Sequence, residues 1–205
     1  MLNLNDHEKQ AIVDTIRLDF TSRVRSYNFK KYPEATYQKL RITFCSPKSV
    51  TGDDIKEAFV WKYGHSHKSG YPEKHKILIG KIQGEWSSFS TKQIIDAREI
   101  FDYWINKLNG HRRFITVAFL VHLLRSDQIP IIDQHNYRAM NHLLIGVRGN
   151  WRARKKPSRF DDLLDLSEFI RGVQEHWRKS GYPSSPDERS LDKYLMVLGQ
   201  ALKAK

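Results

Sequence analysis

The sequence predicts an all-α fold, and three observations carry that expectation. Apolar residues recur at three- and four-residue intervals along most of the 205 residues. Capping residues stand just ahead of several of those runs. One run, Phe114–Leu124, is apolar on nearly every side, as a helix enclosed by other helices would be.

Taken in chain order, Asn5 or Asp6 can cap a first helix in which Ile12, Ile16 and Phe20 repeat every four residues. The signal is poor over 32–47, where Leu40-Arg41-Ile42-Thr43-Phe44 alternates as a short strand or an irregular packed segment would. Thr51, followed by Asp53 and Asp54, opens a second helix with Ile55, Phe59 and Val60, and Gly64 ends it. Pro72 suits the first turn of a third helix that buries Ile79 and Ile82. Ser90 or Thr91 is read as the cap of the clearest amphipathic helix, with Ile94, Ala97, Phe101, Trp104, Ile105 and Leu108 on one face. Asn109-Gly110 stops it, and the apolar run 114–124 follows.

Ile129-Pro130-Ile131-Ile132 interrupts helicity, and Asp133 restarts it as an N-cap ahead of Tyr137, Met140, Leu143 and Leu144. Two more amphipathic helices carry Leu163, Leu166, Phe169, Ile170 and Val173, then, after Pro186, Leu191, Leu195, Leu198 and Leu202. No internal repeat is present. The basic stretch 152–159 is the only linker-like segment and is too short to separate two domains. Residues 1–205 therefore read as one helical domain, with lobes at 1–50 plus 150–205 and at 51–149.

Composition narrows the functional classes. Lys and Arg outnumber Asp and Glu by 35 to 23, a net charge of +12 that suits a polyanionic partner. The single cysteine, Cys45, rules out a disulfide within the chain and a cysteine-ligated zinc or iron–sulfur centre. It follows Phe44 in an apolar stretch and is expected to be an inert core thiol. No apolar run reaches the roughly 18 residues of a membrane span, and the first residues lack a signal-peptide pattern. A cytoplasmic, nucleoid-associated monomer without a cofactor is expected.

The most informative segment is Leu108-Asn109-Gly110-His111-Arg112-Arg113-Phe114, then the apolar run, then Ile131-Ile132-Asp133-Gln134-His135-Asn136-Tyr137-Arg138. Physically it is helix, glycine turn, helix, extended apolar link, and an aspartate opening another helix. A turn between helices exposes backbone N–H groups, and a helix N-terminus attracts anions. Arg112 and Arg113 beside such a turn suit a DNA phosphate.

This order resembles the signature of the helix-hairpin-helix DNA glycosylases, over residues 108–144. The family pattern is a glycine hairpin, an apolar helix, and an Asp-x-His with an Arg three residues beyond the His. Here those positions are Asp133, His135 and Arg138. The resemblance implies a two-lobed helical domain bound to double-stranded DNA through Gly110, His111, Arg112, Arg113 and Arg138. It implies catalysis by Asp133, whose carboxylate would stabilise positive charge on the sugar or activate water. Residues after the hairpin would include the lyase lysine in bifunctional relatives, but here they read Phe114-Ile115-Thr116. Water is the expected nucleophile, without strand scission. The second hairpin glycine is also replaced, near Arg112 and Arg113, so guanidinium groups would take over part of the phosphate grip.

Such an enzyme must extrude a base and fill the gap. The family draws its pocket and wedge residues from the loop after an early helix, which here holds Trp61, Lys62, Tyr63 and His65. Trp61 and Tyr63 read equally well as the last core contacts of their helix. His65, His67 and His75 lack an acidic or cysteine partner, so zinc is not expected. Arg148, Arg152, Arg154, Lys155, Lys156 and Arg159, with Trp151 among them, form the densest basic run. Of these, Arg152, Arg154 and Lys155 are assigned to the DNA backbone. The leading expectation is a monofunctional DNA glycosylase, with a non-catalytic helix-hairpin-helix DNA-binding protein as the alternative. A helical RNA-binding or nuclease-associated protein ranks third, because no carboxylate cluster converges to hold a metal.

Overall fold

The computed structural model describes residues 2–109, 113–154, 156–182 and 185–203. Among the described residues it is all-helical: ten α-helices and a short 3-10 turn at Pro47–Ser49, without strands. No helix there is long and apolar enough to cross a membrane. The chain divides into two compact units, residues 28–128 and residues 1–27 with 129–205. The stretch 28–50 thus goes with the middle of the chain, and the helix after Asp133 goes with the two ends.

The middle unit holds α3 (Glu34–Phe44), α4 (Gly52–Lys62), α5 (Glu73–Ser90), α6 (Ala97–Lys107) and α7 (Phe114–Leu124). Helix α7 packs against α3 and α6 and buries nine of its eleven residues, since almost none of its side chains gains from water. An aliphatic side chain so buried contributes about 1.5–3 kcal/mol relative to exposure. Its two polar side chains find partners. Thr116 Oγ1 lies 2.9 Å from the Tyr63 hydroxyl, and His122 Nε2 lies 3.0 Å from the Tyr37 hydroxyl.

Three expectations are corrected in this unit. The alternating stretch 40–44 is the end of α3, where Tyr37, Leu40 and Phe44 share the buried face and Ile42 is exposed. Their spacing of three and four residues outweighs the apparent alternation. Ser90 and Thr91 end α5 rather than open α6, whose cap is Asp96, accepting from the backbone N–H groups of Arg98 and Glu99. Cys45 is exposed, its thiol 3.1 Å from the Arg41 carbonyl, because it stands just past the end of α3.

The terminal unit holds α1 (Asp6–Arg17), α2 (Phe20–Arg25), α8 (Gln134–Val147), α9 (Phe160–Lys179) and α10 (Glu188–Ala201). Phe20 belongs to α2 and not to the first helix. There its ring meets Trp177 edge-on at 5.6 Å and stacks on Tyr194 at 5.7 Å. Helix α1 lies on α9 and α8, α2 on α10, and α10 runs closely along α8. Gly199 permits that last approach: a Cβ there would land on the backbone carbonyl of His135. Arg138 ties the same two helices, its Nη1 donating to the Gly199 carbonyl at 2.9 Å.

Candidate functional site

Asp133 begins α8 because the residues ahead of it cannot continue a helix. Pro130 has no N–H, and Ile129, Ile131 and Ile132 are buried in non-helical chain. Asp133 itself is extended, at φ −142° and ψ 178°. Its Oδ1 accepts from the N–H groups of His135 (2.6 Å) and Asn136 (3.1 Å). In return, the Asp133 N–H donates to Asn136 Oδ1 at 2.7 Å, which completes a reciprocal capping box. Among the described residues no hydrogen bond or ion pair engages Asp133 Oδ2.

Asn136 anchors the cap from below. It is buried, and its Nδ2 donates to the Ile131 carbonyl at 2.6 Å and to Asp192 Oδ1 at 3.0 Å. Asp192, also buried, pairs through Oδ2 with Arg189, whose Nη2 donates to the Tyr27 hydroxyl at 3.0 Å. The position of Asp133 is thus set by a polar chain reaching from α8 into α10. Neither Asn136 nor Asp192 is singled out by sequence, although Asp-x-x-Asn is a capping-box pattern that could have marked Asn136.

In the middle unit, α6 closes with Leu108 and then Asn109 in the left-handed region at φ +60°. Helix α7 starts at Phe114 without a side-chain cap, and Arg113 just before it is exposed. Gly110, His111 and Arg112 lie outside the described residues. A cavity of about 300 Å³ adjoins this turn, lined among the described residues by Ile77, Leu78, Lys81, Leu108, Asn109 and Arg113. Lys81 and Arg113 bring two cations to it. Lys81 is missed by the sequence reading, because it stands on the exposed side of α5 with nothing local to link it to a turn some thirty residues later.

The segment expected to supply a base pocket is mostly interior. Trp61 is 3% exposed, donates through Nε1 to the Pro33 carbonyl at 3.0 Å, and stacks on Tyr37 and Phe119. It fills the core and is not presented to a ligand. Lys62 places its ammonium 5.2 Å from the centre of the Phe119 ring. The Tyr63 hydroxyl is held by Thr116, and its ring stacks on His75 at 4.0 Å. Burial pushes the Tyr63 pKa up.

His65 is buried beside it, with Nε2 3.1 Å from His75 Nδ1 and with Nδ1 unpartnered among the described residues. Burial lowers the pKa of both imidazoles, helped by the nearby charges of Lys68, Lys31 and His67 at His65 and of His65, Lys74 and Arg113 at His75. His67 is exposed. Among the described residues no three His, Cys, Asp or Glu side chains group to hold a metal ion.

The basic run divides between fold and surface. Arg148 pairs with Glu8 at 2.5 Å and also donates to the Asn3 carbonyl. Trp151 Nε1 donates to Asn141 Oδ1 at 2.8 Å. Arg154 Nη1 lies 3.5 Å from Asp162 Oδ1, a buried carboxylate that also accepts from the Tyr137 hydroxyl and from the Ser158 and Arg159 N–H groups. Arg152, Lys156 and Arg159 are exposed, and Lys155 lies outside the described residues. Arg138, assigned by resemblance to DNA, spends one nitrogen on α10.

No protein-family model, curated protein or solved structure matches the chain.

Proposed function

We propose that the chain is a monofunctional DNA glycosylase, with Asp133 as its catalytic carboxylate and water as its nucleophile. The observation that carries this reading is the state of Asp133. One oxygen is fixed by two backbone N–H groups, and the other has no partner among the described residues. A carboxylate so held is preorganised to face positive charge without having to reorient when that charge appears. Water would add to the anomeric carbon as the bonding pair leaves with the base, its proton passing to the carboxylate or to solvent. Arg113, Lys81 and the uncapped start of α7 supply a phosphate grip of the kind expected of a hairpin turn. The net charge of +12 and the exposed Arg152, Lys156 and Arg159 support duplex binding.

The second reading is a DNA-binding protein without catalysis. It is favoured by the completeness of the Asp133 capping box and by the bond from Arg138 to the Gly199 carbonyl, which give both residues a structural task.

Asp133→Asn separates the two readings, because Asn caps a helix about as well as Asp. Purified protein is screened on duplexes carrying different modified bases, read as abasic-site formation, with a thermal melt of each variant. Under the first reading Asp133→Asn melts as wild type and excises more slowly by a factor on the order of 10²–10³. Excision at the wild-type rate by a normally folded Asp133→Asn would make the aspartate a cap only.

A further inference from the structure

A second concave site lies within the terminal unit, and Asp133 is not among its lining residues. It encloses about 500 Å³, within the range of small-ligand pockets, and is lined by Arg138, Asn141, His142, Ile145, Ala153, Arg154 and Leu202. Arg138, Asn141, His142 and Ile145 follow one another at intervals of three, one and three residues, which places them along one stripe of α8. Leu202 closes one side just after α10, and Ala153 and Arg154 close the other. No carboxylate lines this groove among the described residues.

Asn141 is spent within the fold, its Oδ1 accepting from Trp151 and its Nδ2 donating to the Tyr137 carbonyl, but the two guanidinium groups are poised. Arg138 is steadied by a single nitrogen, Nη1, which meets the Gly199 carbonyl and lies 3.3 Å from His135 Nδ1. Its Nε and Nη2 have no partner among the described residues. Among the described residues Arg154 is likewise engaged through Nη1 alone, with Asp162. A guanidinium fixed at one corner keeps a fork of donors that matches phosphate oxygens. Ile145 is half-exposed and, with Ala153 and Leu202, forms an apolar wall beside those forks. The exposed Arg152, Lys156 and Arg159 continue the positive charge along the chain from Ala153 and Arg154.

We propose that this groove binds a nucleotide, its phosphate at Arg138 and Arg154 and its flat ring against Ile145 and Leu202. An anion alone has no use for the apolar wall, and an uncharged ring has none for two guanidinium groups. The site does not depend on glycosidic cleavage. The nucleotide is either free or part of a strand whose base is unpaired, and the chemistry of recognition is the same for both.

The test is isothermal titration of the full chain with thymidine monophosphate, a 5′-phosphorylated thymidine trinucleotide, and inorganic phosphate. Saturable binding of the monophosphate or the trinucleotide, tighter than that of phosphate, is expected. Binding of the monophosphate alone identifies a free nucleotide; binding of the trinucleotide alone identifies a strand. Ile145→Glu puts a carboxylate at a half-exposed position and is expected to weaken binding by about tenfold or more without changing the melt. Arg154→Gln, which removes an ion pair and leaves Asp162 its three hydrogen bonds, is expected to do the same. Asp133→Asn is expected to bind as wild type, so failure of the catalytic reading and failure of this one are distinguishable. No saturable binding of either nucleotide probe overturns the proposal, as does phosphate binding equal to that of the nucleotides. So does affinity indifferent to both groove variants.

Discussion

Asn136 and Asp192 meet inside the protein with opposite hydrogen-bonding capacities: one Nδ2 donor of Asn136 rests on Asp192 Oδ1 at 3.0 Å, and the other on the Ile131 carbonyl. Replacing Asn136 by Asp removes both donors and sets two carboxylates face to face. Asn136→Asp is therefore expected to lose about 1–3 kcal/mol or more at pH 7, with part of the loss recovered on acidification as one carboxyl takes up a proton. Urea denaturation at pH 7 and pH 5 measures this. Stability equal to wild type at pH 7 would contradict the arrangement.

Gly199→Ala tests the approach of α10 to α8. The new methyl would strike the His135 carbonyl, which belongs to backbone and cannot swing aside. A loss of about 1–3 kcal/mol is expected. Gly172→Ala, within α9, meets nothing nearer than the end of Lys9 at 3.6 Å and is expected to gain roughly 0.5–1 kcal/mol from helix propensity. Thermal melts of the pair should move in opposite directions.

Glu8 makes stability depend on acid. Hydrogen bonds from Arg148 hold its carboxyl down at about 2, below the ordinary 4.5, against the opposing effect of burial. A depressed carboxyl pKa stabilises the fold above the unfolded-state value, and that contribution drains away as pH falls from about 4.5 toward 2. Glu8→Gln is expected to start less stable at pH 7 and to lose less than wild type across that window. Parallel stability–pH curves for the two proteins would count against the pair.

The helices legible in sequence are those whose pattern and caps are local. Helix α7 announces itself by being apolar all round, and Asp133 by standing between an extended apolar link and a helical run. Helix α3 is obscured because Leu40, Ile42 and Phe44 mimic alternation, and only the exposure of Ile42 resolves the ambiguity. The site is less legible because its geometry is made at long range. Arg138 finds Gly199, Arg154 finds Asp162, and Asn136 finds Asp192, pairings that no spacing rule anticipates. Trp61 illustrates the converse: an aromatic followed by Lys62 in a stretch that interleaves aromatic and basic residues suits a ligand surface, yet its neighbours in space are Tyr37 and Phe119.

Duplex affinity is expected to fall steeply with salt, and Lys81→Gln and Arg113→Gln should each reduce the slope of log affinity against log salt by roughly 1. Lys179→Gln, which removes a surface cation already paired with Glu175, serves as the control. Fluorescence anisotropy at several salt concentrations reads the slopes. Identical slopes for all four proteins would remove the hairpin turn from the interface.

Borohydride should trap no covalent protein–DNA adduct, because the first turn of α7 offers Phe114, Ile115 and Thr116 and no amine. Product strands should break only after alkali or heat. Efficient trapping would place the nucleophile on a lysine elsewhere, with Lys62 and Lys107 the first to replace.

Residues 28–128 form an uninterrupted stretch of chain, whereas the unit containing α8, α9 and α10 is assembled from both flanks. On a ribosome adding roughly 5–20 residues per second, α1 and α2 emerge well before the helices that will cover them. Ile12, Val13 and Ile16 must wait, uncovered, while the whole middle unit is made and becomes free to fold. A nascent chain halted near residue 128 would thus carry a finished centre behind an amphipathic helix whose apolar face is bare, the kind of species that chaperones hold and that aggregates without them.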